Sequence, residues 1–222
     1  MEVKAENIVV LTSAKSWFVP YAERFAAELG TRGYNAQLLT NHTEIPGTTH
    51  IVFILSYFRI IPSVHLGKNR LNLVVHESDL PKGKGWAPMF WQVLEGKNEI
   101  PVTLFEADEH TDNGRIWFKD VIQLRGDELH DELRHLQAEK SVEMCLKFLD
   151  ELDGIEPKEQ EGESTFYPRR TPKDSELDTC KSIDELFNQL RIASNEDYPA
   201  FFMKNGVKYV LQISAETSNN EE

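Results

Sequence analysis

Two residues carry the side chains best suited to chemistry in this chain, a histidine that ends an apolar run and an aspartate in a later acidic loop. Leu71 to Val75 holds four apolar residues in five, which suits a strand covered on both faces, and His76 closes it. Asp112 lies in the loop EADEHTDNG that begins at Glu106. An imidazole titrates near neutrality and can carry a proton, and a carboxylate beside it can hold the imidazolium or position a water. Taken alone, a histidine ending a buried strand reads more readily as structural, and the acidic loop as a solvated turn.

The loop after His76, Pro81-Lys82-Gly83-Lys84-Gly85, has glycines for unusual backbone angles and lysines that suit an anionic ligand. It is no nucleotide fingerprint. A dinucleotide loop needs a third glycine where Pro88 stands, and a phosphate loop needs Ser or Thr after Gly-Lys. His130 and His135 miss the four-residue spacing of a helical zinc pair and read as solvent-facing. Cys145 and Cys180 show no ligand spacing, so no metal is expected and a reducing compartment fits best.

These residues need a scaffold. Ile8 to Leu11 reads as a first buried strand, with Thr12, Ser13 and Ser16 as candidate caps of a helix whose apolar face is Phe18, Tyr21, Ala22, Phe25 and Leu29. Strands follow at Asn35 to Leu39, His50 to Leu55, Val102 to Phe105 and Arg115 to Gln123, with a short helix after Trp86 and a long one from Leu129 to Leu152. The expected fold is α/β, an open, mostly parallel, Rossmann-like sheet flanked by helices, in which a ligand sits beyond the strands' carboxyl ends. Residues 1–153 form the main domain, 154–164 a linker or exposed crossing, 165–213 a small α+β appendage, and 214–222 a polar tail.

Composition limits the partners. With 37 acidic against 24 basic residues among 222, the net charge of −13 opposes the counterion release that drives binding to nucleic acid. The first apolar run is too short for a signal peptide and no later stretch suits a bilayer, so a cytoplasmic protein with no membrane partner is expected.

HESDLPKGKGWAP at His76 to Pro88 and VTLFEADEHTDNGRI at Val102 to Ile116 resemble the paired signatures of folate-dependent formyltransferases, a His-x-Ser-x-Leu-Pro turn and a later Asp-x-Gly. SYFRIIP, Ser56 to Pro62, is similar to the segment on which that family holds a pterin ring. YPRRTPKDSELD, IDELFNQLR and YPAFF resemble the region after the catalytic domain in formyltransferases of nucleotide-linked amino sugars. Purine-pathway members lack such a tail, and methionyl-tRNA formyltransferases carry a larger C-terminal domain.

The resemblance implies 10-formyltetrahydrofolate as donor and a nucleotide-linked amino sugar as acceptor, in surface polysaccharide synthesis. Methionyl-tRNA, a purine precursor, or silent binding of folate or nucleotide sugar are the alternatives. It makes His76 the proton carrier and Asp112 its partner, and it places the donor on Tyr57, Phe58, Arg59, Ile60, Ile61 and Asp108. Lys82, Gly83, Lys84, Gly85 and Trp86 are the candidates for the acceptor, and Arg169 and Arg170 read as bracing the tail, with substrate contact as the alternative. The family usually has asparagine two residues before the histidine to bind the oxyanion, whereas this chain has Val74, which cannot donate a hydrogen bond. Ser78, Asn113 or a loop amide are the candidate replacements, with Asn72 too distant along the strand unless a bulge intervenes. Phe201 and Phe202 are expected to be exposed and to suit a homodimer contact.

Overall fold

The computed structural model describes residues 6–216. Its first half contains β1 (Asn7–Leu11), α1 (Val19–Thr31), β2 (Asn35–Leu39), β3 (Ile51–Ile54), α2 (Ser63–Leu66), β4 (Leu71–His76), β5 (Lys84–Gly85) and α3 (Pro88–Leu94). Then come β6 (Glu99–Glu106), β7 (Ile116–Gln123), α4 (His130–Glu151), β8 (Phe166–Tyr167), α5 (Ile183–Arg191), β9 (Ala200–Lys204) and β10 (Val207–Leu211). Six strands form the central sheet in the order β2-β1-β3-β4-β6-β7. The first four run parallel, as the sequence leads one to expect. β6 pairs antiparallel with β4, and β7 antiparallel with β6. The chain passes from β4 to β6 through β5 and α3 and re-enters the sheet in the opposite direction.

Alternation along the central strands divides the core in two. Ile8, Val10, Ile51 and Phe53 face α1 and α4, while Val9, Leu11, Val52 and Ile54 face Ile61 and Leu66 across the sheet. Phe53 touches Phe25 of α1 at a ring separation of 5.5 Å and Phe148 of α4 at 6.3 Å, so both helices close one face. Ser13 and Ser16 do not cap α1, whose N-cap is Phe18 with no side-chain cap. They hold the next loop instead: Ser13 Oγ accepts from the Phe58 amide at 2.8 Å, and Ser16 Oγ donates to Ser56 Oγ at 2.8 Å.

The C-terminal residues build a small core of Leu177, Leu186, Leu190, Ala193 and Ala200 around α5, which a Ser182–Glu185 capping box starts. That unit is pinned by Arg191, whose Nη1 lies 3.3 Å from Glu128 and whose Nη2 donates to Asn98. Both charged side chains are buried, so removing either would strand the other. Asn205 and Gly206 take the paired positive φ angles of a two-residue hairpin turn. The expected dimer face is corrected here. Phe201 is buried and Phe202 stacks on Tyr209, leaving Met203, Val207, Tyr209 and Val210 as the exposed apolar residues of this hairpin. Among the described residues, no helix is long and apolar enough to cross a membrane.

Candidate active site

His76 ends β4 beside Thr103 of β6, and β6 then runs back so that Glu106 lies opposite Leu73. Asp112 therefore does not end a parallel neighbour of β4. The loop after β6 folds over to bring it back. Asp112 Oδ2 stands 3.6 Å from His76 Nε2 and accepts the Gly85 amide at 2.8 Å. His76 Nε2 is also 2.9 Å from the Gly83 carbonyl. A carbonyl can only accept, so this contact puts a proton on Nε2 and the lone pair of the neutral ring on Nδ1, which has no hydrogen-bond partner among the described residues.

The loop that delivers Asp112 is held tightly. Asp112 has a left-handed backbone (φ 50°), and Gln160 Nε2 donates to its carbonyl at 3.0 Å and to that of Gly114 at 2.8 Å. Gly114 accounts for the Asp-x-Gly spacing: a Cβ there would stand 1.8 Å from the Glu106 carbonyl oxygen. The crossing at 154–164 is thus no free linker, because Gln160 clamps the loop and Lys158 bridges to Ile116. Gln160 was not legible in sequence, sitting in a stretch of Glu, Lys and Pro without pattern.

A cavity of about 530 Å³ opens beside this pair, within the size range of small-molecule sites. Its apolar floor includes Ile54, Leu66, Val74 and Phe105, and its walls are the 56–61 and 107–112 loops. Tyr57, Phe58, Arg59, Ile60, Ile61 and Asp108 all line it, as does Trp86. Tyr57 is anchored by His42, whose Nδ1 is 2.8 Å from the phenol oxygen. Phe58 and Trp86 are exposed and stacked at 6.5 Å. Four described non-glycine residues have positive φ, and three of them, Ser56, Ala87 and Asp112, line this cavity. Strain of this kind gathers where a site over-determines its backbone.

Several expected site residues serve elsewhere. Asn72 is buried, donating to the Leu66 carbonyl at 2.9 Å and accepting from Asn69, so it braces the turn before β4. Ser78 Oγ is buried without a partner and does not line the cavity. Lys84 is buried and donates to Asn113 Oδ1 at 2.9 Å, which spends both side chains on bracing the loop. Lys82 is exposed and away from the cavity walls. Gly83 and Gly85 contribute backbone: Gly83 accepts from His76 and Gly85 donates to Asp112. A Cβ on Gly85 would lie 2.5 Å from the Tyr167 carbonyl oxygen, because β5 pairs there with β8.

The inner end of the cavity is polar. His130, expected in solvent, stacks on Phe90 at 5.5 Å, and burial lowers its pKa. Arg134 lies over Trp17 and Phe90, at 4.4 and 4.3 Å from their ring centres. Arg169, Arg170 and Tyr198 enter this wall from the C-terminal unit. Burial pushes the Glu77 carboxyl above its ordinary value, against the pull of His76, Gln137 and Arg134. A carboxyl with a raised folded pKa is fully tolerated below its unfolded pKa, and stability is lost as pH rises through the folded value. Glu77→Gln is therefore expected to raise the Tm near pH 8 and to lose that gain near pH 4. A pH-independent Tm difference would contradict the burial argument.

A family model described as formyl transferase matches residues 46–149. A methionyl-tRNA formyltransferase of Acidobacterium capsulatum is 31% identical over 165 residues, covering 72% of this chain and 52% of its own length. The chain thus spans about half the length of the curated relatives it matches. A solved methionyl-tRNA formyltransferase of Clostridium thermocellum superposes with a TM-score of 0.79 at 24% identity, over 96% of this chain and 95% of its own. HypX of Aquifex aeolicus in complex with tetrahydrofolic acid gives 0.77 at 18%, over 94% and 37%. A sugar N-formyltransferase of a Shewanella species gives 0.71 at 13%, over 96% and 98%. At such identities the structures share the fold, and the match over residues 46–149 shows that this chain carries a formyl transferase domain.

Proposed function

We propose that this protein moves a formyl group from 10-formyltetrahydrofolate to the amine of a nucleotide-linked amino sugar, in the building of surface polysaccharide. The observation that carries the reading is the His76–Asp112 pair, 3.6 Å apart at the edge of a cavity about 530 Å³ in volume. The donor supplies the formyl carbon. Its ring fits the apolar floor and the loop of Tyr57 to Ile61, with Asp108 as a polar contact at the edge. HypX with tetrahydrofolic acid, a protein of the same fold, supports that donor class.

His76 takes the proton that the attacking amine must shed, using the unpartnered Nδ1, and returns it to the departing nitrogen of the donor. Asp112 faces the opposite ring nitrogen and balances the imidazolium between those events. Val74 cannot serve the developing oxyanion, and Ser78 and Asn113 are not at the cavity wall. The Nδ1–H of the protonated His76 is the donor we assign to it.

The acceptor reading rests on the C-terminal unit, residues 165–213, which resembles that of sugar-acting enzymes and lends Arg169, Arg170 and Tyr198 to the wall. Methionyl-tRNA is the second reading, favoured by the names of the curated relatives. The net charge of −13 argues against it. Incubation with 10-formyltetrahydrofolate and a panel of dTDP-, UDP- and GDP-linked amino sugars should give one sugar a mass gain of a single formyl group. Formylation of methionyl-tRNA alone, or folate binding with no transfer to any amine, would overturn the sugar reading.

A further inference from the structure

Where α4 and the C-terminal unit line the cavity, it holds the guanidinium groups of Arg134 and Arg170. Among the described residues, neither Arg134 nor Arg170 enters an ion pair, and the Nε atoms of both are buried without a hydrogen-bond partner. Arg134 is positioned by other means. It lies over the Trp17 and Phe90 rings, and its Nη1 donates to Gln137 Oε1 at 2.9 Å. The acids whose charge reaches them form no ion pair with them among the described residues. Asp174 accepts from the Thr171 amide and hydroxyl, while Glu77 and Asp197 influence Arg134 without an ion pair to it. The two arginines also oppose each other, and burial lowers the pKa of both, Arg134 to about 10.

Holding two cations in one desolvated compartment is unfavourable unless something anionic completes it. In a chain of net charge −13, a local surplus of positive charge at the end of a cavity is selective, because the rest of the molecule repels anions. Arg170 comes from the C-terminal unit and Arg134 from α4, so the compartment exists only where the two meet.

We infer that Arg134 and Arg170 bind an oxyanion group carried by the acceptor, a phosphate or a carboxylate, and so anchor the acceptor with its amine toward His76. The inference deepens the acceptor reading above and rests on it. A guanidinium presents paired N–H donors to either group. A phosphate would come from the diphosphate of a nucleotide sugar and a carboxylate from an acidic sugar.

The test is calorimetric titration of the full chain with pyrophosphate and, separately, with malonate at low ionic strength. At least one of them is expected to saturate a single site, with affinity about ten- to hundredfold weaker in Arg170→Gln and in Arg134→Met. Arg134→Met keeps an unbranched stem between Trp17 and Phe90. Arg170→Gln should also melt no lower than the wild type, because it removes a buried charge without a partner, whereas a purely structural arginine would lower the Tm. Preference for pyrophosphate supports the inference and assigns the phosphate source, and preference for malonate supports it and assigns the carboxylate. Saturation by neither anion, or affinities unchanged in both variants, would overturn it. Loss of the anion site with formyl transfer retained removes the compartment alone. Anion binding without formyl transfer to any amino sugar removes the functional reading alone.

Discussion

His76→Ala is expected to lower kcat/KM by about 10²–10⁴ while leaving the affinity for a folate analogue intact. The separation follows from the geometry. The His76 ring is held at the sheet edge by the Gly83 carbonyl and Asp112, whereas the loop expected to hold the donor is fixed by Ser13, Ser16 and His42. Removing the imidazole takes away the proposed proton carrier and touches none of those anchors. His76→Gln should be nearly as inactive, since an amide can satisfy the Gly83 carbonyl but cannot carry a proton near neutrality. Steady-state kinetics with the identified acceptor, together with folate-analogue titration, reads both effects. Near wild-type turnover in either variant would remove His76 from the chemistry.

Gly114→Ala should be nearly as damaging without touching a catalytic group. The new methyl would stand 1.8 Å from the Glu106 carbonyl oxygen, so the end of β6 and the Asp112 loop cannot both stay in place. That oxygen belongs to the strand end where Glu106 N–H donates to the Arg115 carbonyl, and Gln160 clamps the loop from the other side. Neither neighbour can give way cheaply. Overpacking of this kind is worth about 1–3 kcal/mol of stability. Displacing Asp112 by about 1 Å should cost roughly 10²-fold in kcat. Asp112→Asn separates the two effects: it keeps the loop and removes the charge, so it should lose rate without losing Tm. A Gly114→Ala enzyme with unchanged Tm and kcat would show that the close approach does not constrain the site.

Much of this arrangement was legible from residue pattern. Unbroken apolar runs gave β1, β3 and β4, because strands covered on both faces leave no polar alternation to misread. The His76–Asp112 pairing and the 56–61 wall followed from spacing and resemblance. Strand direction did not, since β6 carries the same buried pattern whichever way it runs. The burial of Lys84 has a related cause. A lysine between glycines looks solvated in sequence, yet the return of β8 beside β5 buries it against Asn113. His130, Arg134 and Gln160 are the opposite case, polar residues that reach the site only because long-range packing folds α4 and the 154–164 crossing over it. No local pattern encodes such meetings.

A crystal structure of the protein soaked with a non-transferring formyl-folate analogue tests the role of the His76–Asp112 pair at the cavity. The ring is expected between the 56–61 and 107–112 loops, with the formyl group within hydrogen-bonding reach of His76 Nδ1. A folate bound elsewhere on the chain, or in this cavity with its formyl group turned away from His76 and Asp112, would contradict it.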